Sequence, residues 1–170
     1  MLFRSPPKAE KKAPQILSIE QVAALLSQPD TRTSQGVRDL AMLELLYATG
    51  IRVSELIGLK LSDVNLRMEY ITCGERSRER VIPFGSAAKR ALTEYLEGAR
   101  ETLTGAVDSE MLFPNCQGKP MSRQGFWKIL KGVKFHNGDE LTADDIIYTY
   151  GTAVHDSATC EGYQIGRAHV

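Results

Sequence analysis

Arg52 stands where an arginine serves chemistry better than it serves a fold. It follows Gly50 in the run ATGIRVSEL and opens a short segment with helical spacing. A cation at a helix start opposes the helix dipole by about 0.3–1 kcal/mol, so stability alone favours an acid or a small capping residue. An anion held in front of the turn reverses that preference, because the guanidinium and free backbone N–H groups then converge on one phosphate. Glu55, one turn on, is spaced to hold the guanidinium in orientation. An ordinary i,i+3 Arg–Glu surface pair, worth little, explains the same two residues, and spacing alone favours that plainer reading.

Two further groups carry charge in a pattern. Arg76, Arg78 and Arg80 alternate with Ser77 and Glu79. Residues two apart on a strand share a face, so the three arginines form a basic ridge suited to a phosphate backbone. Charges at a sheet edge also block unwanted strand pairing, which accounts for the pattern equally well. Ser122, Arg123 and Gln124 open another helical segment. Arg and Gln are the usual readers of guanine and adenine edges, although a capped, solvent-facing first turn is the commoner meaning. Trp127 reads as core rather than as a stacking platform. His136, His155 and His169 have neither metal-ligand spacing nor a nucleophile partner, and no glycine-rich nucleotide loop, GxSxG or HExxH occurs. No metal or cofactor is therefore expected. Cys73, Cys116 and Cys160 lie far apart without a CxxC pair, which reads as free thiols in a reducing cytoplasm.

The elements that must hold these residues are legible in the periodicity. Residues 1–17 are rich in Pro and Lys and read as a linker or arm. Ser18 is a helix N-cap with Gln21 at the capping-box position, and the helix ends before Pro29. Val37, Leu40, Ala41, Leu43, Leu45, Leu46 and Tyr47 form a wide apolar stripe, predicting a core helix over 35–49 that Gly50 terminates. A short helix over 53–59 follows. The period then changes: Val64, 68–73 and 79–83 read as strands, with CGERSRER as a hairpin tip. Helical spacing returns over 86–100 and, after a Pro/Gly loop at 114–120, over 122–131. The expected class is α+β, mainly α-helical, with a small three-stranded antiparallel sheet.

The bulk numbers are those of a globular chain: 170 residues suffice for one domain with a core, and 42% hydrophobic with 25% charged residues is ordinary. No apolar stretch is long enough to cross a bilayer, and the N-terminus has no apolar signal region. The zero net charge conceals a division. Residues 1–131 hold 19 Lys+Arg against 15 Asp+Glu, whereas residues 132–170 hold 2 against 6. A mildly basic body carries an acidic tail.

Taken together, LSIEQVAALL, RDLAMLELLYATGIRVSELIGLKLSDVNL, ERVIPFG and LFPNCQGKPMSRQGFWKILK resemble the catalytic domain of the tyrosine recombinase (phage integrase) family, near its Xer branch. The likeness runs from about Leu17 to Lys131 and implies a partial catalytic domain over 18–131. It also implies a reaction: a tyrosine hydroxyl attacks a DNA phosphate, forms a 3′-phosphotyrosyl link and releases a 5′-hydroxyl, which later attacks the partner strand's link. No cofactor is required, because the covalent intermediate conserves the bond energy. Arg52 matches the first of two arginines that stabilise the five-coordinate phosphate, and Glu55 the acid that supports it. The implied partner is double-stranded DNA; family members act as tetramers on two duplexes, though the segment that links protomers has no match here.

The departures from the family pattern are as informative. Glu75 falls where the family has a lysine that helps protonate the leaving oxygen, and a carboxylate there repels phosphate. Arg76 or Arg78 restores charge but donates protons poorly. The His-x-x-Arg box does not occur, and the surroundings of Tyr148, Tyr150 and Tyr163 do not resemble the nucleophile segment. KGVKFHNGDELTADDIIYTY instead resembles the periplasmic peptide-binding proteins of ABC transporters, and IGRAHV (Ile165 to Val170) resembles one reading frame of sequencing-adapter DNA. Residues 132–170 are thus expected to be an unrelated, chimeric and poorly ordered tail. The expected function is DNA binding without strand cleavage. A working recombinase with a non-standard tyrosine and a solute-binding module built from the tail are the alternatives. Loss of covering helices is further expected to expose the apolar faces of the helices at Val37–Tyr47 and Phe126–Leu130.

Overall fold

The computed structural model describes residues 18–74, 79–105, 107–115 and 117–130. At Ser18 the Oγ accepts the Gln21 N–H at 3.3 Å while Gln21 Oε1 accepts the Ser18 N–H at 2.8 Å. This reciprocal pair satisfies two donors that a helix start leaves orphaned and launches α1 (Ile19–Leu26). Thr33 caps α2 (Ser34–Thr49) through the Gly36 N–H at 3.0 Å. α2 ends at Gly50, whose φ of 61° is left-handed and therefore suits glycine. That reversal turns the chain directly into α3 (Val53–Gly58).

A 3-10 turn over Leu61–Asp63 leads into β1 (Val64–Asn65), followed by β2 (Tyr70–Cys73) and β3 (Arg80–Pro83). The strands form one antiparallel sheet in the order β1-β2-β3, with Val64 opposite Ile71, Ile71 opposite Ile82 and Cys73 opposite Arg80. Because opposed residues share a face, Ile71, Cys73, Ile82 and Arg80 lie on the same side. α4 (Ser86–Glu94) passes through a π turn over Tyr95–Ala99 into α5 (Arg100–Thr104), and α6 (Arg123–Leu130) follows the loop closed by the Pro114–Pro120 bridge.

The core lies where α2 packs on α4, the π turn and α5, and α6 packs on α3. Met42, Leu45, Leu56, Ile71, Leu92, Tyr95, Phe113 and Phe126 are fully enclosed. Tyr95 stacks on Phe113 with centroids 5.3 Å apart, and its hydroxyl donates to the Leu112 carbonyl at 3.0 Å, so the polar end of a buried ring is satisfied. Burial raises the Tyr95 pKa to about 12, keeping it a neutral donor.

The α+β class and the order of elements agree with the sequence reading, with two differences. The helix expected over 86–100 continues to Thr104, because the π turn accommodates Gly98 without ending the run. The expectation of exposed apolar faces is also wrong. Val37, Ala41, Met42, Leu43, Leu45 and Leu46 of α2 and Phe126 and Leu130 of α6 are buried. α2 is covered by the helices that follow it in the chain, and α6 is closed by α3. Tyr47 remains 46% exposed. Trp127 is half-buried, edge-on to Phe126 at 5.3 Å. No helix among the described residues is long and apolar enough to cross a membrane.

Candidate functional site

The Gly50 reversal places Arg52 at the N-cap of α3 with extended backbone, φ −69° and ψ 147°. Its carbonyl accepts the N–H groups of Glu55 and Leu56, both at 2.9 Å, while its own N–H donates to Glu55 Oε2 at 2.9 Å. Glu55 thus supports Arg52 through the backbone, not through the guanidinium that the spacing suggested. The guanidinium is exposed, and no carboxylate among the described residues pairs with it.

Glu55 has a different ionic partner. Arg80 Nη2 lies 2.8 Å from both oxygens of the Glu55 carboxylate, bridging from β3 to the first turn of α3 across 25 residues of sequence. Its Nε lies 3.5 Å from the Cys73 sulfur, the residue directly opposite on β2. The Cys73 thiol and, beyond it, the Glu55 charge hold the Arg80 pKa above the usual arginine value against the effect of burial. The ion pair is asymmetric in its setting: the Glu55 side chain is only 18% exposed, the Arg80 side chain 43%.

Between α3 and the β2–β3 hairpin these groups line a cleft of about 710 Å³, with Arg52, Ser54, Glu55, Arg80, Cys73 and Gly74 in its walls. Asp63 and Glu79 contribute two further acids, and Asp63 is already engaged by the Lys60 N–H at 2.8 Å. Two of the cleft's three carboxylates therefore have donors, whereas the Arg52 guanidinium has no carboxylate partner among the described residues. Among the described residues no His/Cys/Asp/Glu cluster could hold a metal ion. An open cleft whose Arg52 guanidinium has no ion-pair partner among the described residues is suited to an oxyanion ligand such as a phosphate diester.

The phage integrase family profile matches residues 15–152. The chain belongs to the phage integrase family. The tyrosine recombinase XerD of Halalkalibacterium halodurans is 51% identical over 149 residues, and XerD of Staphylococcus aureus 45% identical over the same length. Each match covers 86% of this chain and 50% of the relative, so the chain spans about half the length of the curated relatives it matches. The fold is shared with the crystal structure of XerA recombinase, at a TM-score of 0.66 and 24% identity over 88% of this chain and 52% of that one. It is shared too with XerH site-specific recombinase bound to difH substrate, at 0.65 and 18% identity over 91% of this chain and 46% of that one.

Within this phage integrase domain the candidate residues are distributed unevenly. Arg52, Glu55 and Arg80 meet in the cleft. Glu75, Arg76 and Arg78 lie outside the described residues, as do Tyr148, Tyr150 and Tyr163, the three histidines and the tail boundary at 131/132. Ser122 caps α6, its Oγ accepting the Gly125 N–H at 3.0 Å. Arg123 and Gln124 are exposed on the first turn of α6, outside the cleft lining. The sequence reading missed Cys73 as a wall of the cleft and the Arg80–Glu55 bridge. The only available signal was the strand register, which sets Arg80 opposite Cys73 on the side of the sheet facing α3.

Proposed function

We propose that this domain binds duplex DNA with a backbone phosphate seated in the cleft between α3 and the hairpin, and that Arg52 is the guanidinium that closes on it. The supporting observation is the division of labour at the cleft: Glu55 is neutralised by Arg80, while Arg52 has no acceptor among the described residues. A guanidinium held at its backbone, with no acceptor at its head among the described residues, can donate two parallel N–H bonds to a diester at little reorganisation cost.

In the reaction that the family resemblance implies, such an arginine would stabilise charge building on a five-coordinate phosphate as a tyrosine oxygen attacks and the 5′-oxygen departs. In this reading Glu75 stands at the position of the leaving-group acid, where its charge opposes catalysis. Arg76 and Arg78 add positive charge near it in the sequence, and Ser122, Arg123 and Gln124 approach the duplex from α6. The cleft lining among the described residues contains no tyrosine hydroxyl to attack the phosphorus. The chain is proposed to bind DNA without forming a covalent link.

A nicked duplex that traps the phosphotyrosyl intermediate tests both halves. The expected result is a salt-sensitive, non-covalent complex and no denaturant-resistant adduct. An adduct that survives denaturation would overturn the inactive reading, and an absence of any salt-sensitive binding would overturn the DNA-binding one.

A further inference from the structure

Arg80 sits in the same cleft as Arg52, and its charge suggests a second phosphate ligand. Its geometry argues otherwise. One nitrogen is shared between both oxygens of Glu55 at 2.8 Å, and Nε is turned to the Cys73 sulfur at 3.5 Å. Glu55 in turn holds the Arg52 N–H at 2.9 Å. The chain of contacts runs from the opposed pair Cys73–Arg80 in the sheet, through a largely buried carboxylate, to the backbone of Arg52, whose guanidinium has no carboxylate partner among the described residues.

We infer that Arg80 is a positioning residue: it fixes Glu55, and through Glu55 the N-cap backbone of Arg52, so that the hairpin sets where the Arg52 guanidinium meets phosphate. This rests on the DNA-binding reading above and adds a direction of action to it. A carboxylate in a phosphate-binding cleft ordinarily weakens binding by repulsion. Here its removal should weaken binding instead, because it supports the backbone of Arg52. Small displacements of a positioned group are costly out of proportion to their size.

The test is a double-mutant cycle on the full chain, with a fluorescent random-sequence duplex as probe and thermal unfolding as the folding control. Arg80→Gln and Glu55→Gln are each expected to lower affinity by about threefold to tenfold, within the lower part of the range for coupled neighbours. In an Arg52→Ala background both effects should vanish, because the residue they position is gone. Arg80→Lys, which keeps a cation for Glu55, should recover part of the loss, and it carries the test if Arg80→Gln fails to fold. An Arg80→Gln loss that persists undiminished in the Arg52→Ala background would show direct phosphate contact and overturn the inference. Tighter binding by Glu55→Gln would overturn it as well. Wild-type protein without duplex affinity, or an Arg52→Ala variant that binds as wild type, would instead refute the underlying reading, so the two failures are distinct.

Discussion

Glu55→Gln separates the energetic role of the carboxylate from its shape. The wild-type side chain is 18% exposed and accepts three bonds, one from the Arg52 N–H at 2.9 Å and two from Arg80 Nη2 at 2.8 Å. Glutamine keeps the volume and one acceptor oxygen for the Arg52 N–H, but loses the Arg80 bridge that fixes that oxygen in place. The amide NH₂ then faces a guanidinium, donor against donor. A charge-assisted bond deep in a protein is worth about 1.5–3 kcal/mol, but Arg80 is 43% exposed, which brings the pair toward the roughly 0.2–1 kcal/mol of solvent-screened ion pairs. The lost negative charge in the first turn of α3 adds about 0.3–1 kcal/mol. The total is about 1 kcal/mol, or a fall in Tm of about 4–8 °C for a domain near 100 residues. Thermal unfolding followed by far-ultraviolet circular dichroism at neutral pH measures it. Raising salt to about 1 M, where the Debye length is about 3 Å, should narrow the gap between variant and wild type. An unchanged or higher Tm, or a gap indifferent to salt, would refute the account of the bridge.

Two further substitutions probe the scaffold that presents α3. Gly36→Ala would gain about 0.8–1 kcal/mol if helix propensity decided the outcome, but a Cβ there overlaps the backbone carbonyl of Asp30. Overpacking against backbone costs about 1–3 kcal/mol, so the variant should melt lower than wild type; a higher Tm would contradict the tight Asp30–Gly36 turn. Glu44, half-buried on α2, has its pKa raised by burial against the attraction of Arg90. The folded state therefore holds that proton more tightly than the unfolded chain, and stability falls as pH rises through the interval between the usual Glu value and the raised one. Glu44→Gln should raise Tm at neutral pH and leave it unchanged in acid below that interval; an equal gain at both would rule out titration as the cause.

Local signals carried most of the fold. Ser18 with Gln21, the α2 stripe and Gly50 each state their structure within a few residues, because caps, periodicity and left-handed glycine are short-range chemistry. The π turn was not legible, since Tyr95–Ala99 keeps ordinary helical composition while its hydrogen-bond pattern changes. Covering of the α2 and α6 faces was misjudged for a related reason, because which helix lies on which is a tertiary fact. At the site, Arg52 could be singled out from its awkward place at a helix start, but its relation to Glu55 could not. The i,i+3 spacing is the same whether the carboxylate meets the guanidinium or the backbone N–H. What decides is Arg80, 25 residues later, which takes the carboxylate and leaves the Arg52 guanidinium without a carboxylate partner among the described residues.

The most direct measurement is the salt dependence of duplex binding by wild type and Arg52→Ala, both confirmed as folded. If Arg52 engages a phosphate, the variant binds more weakly, and the slope of log affinity against log salt shrinks by about 0.9, the value of one released phosphate contact. Equal affinities with parallel slopes would show that the free guanidinium of the cleft does not touch DNA.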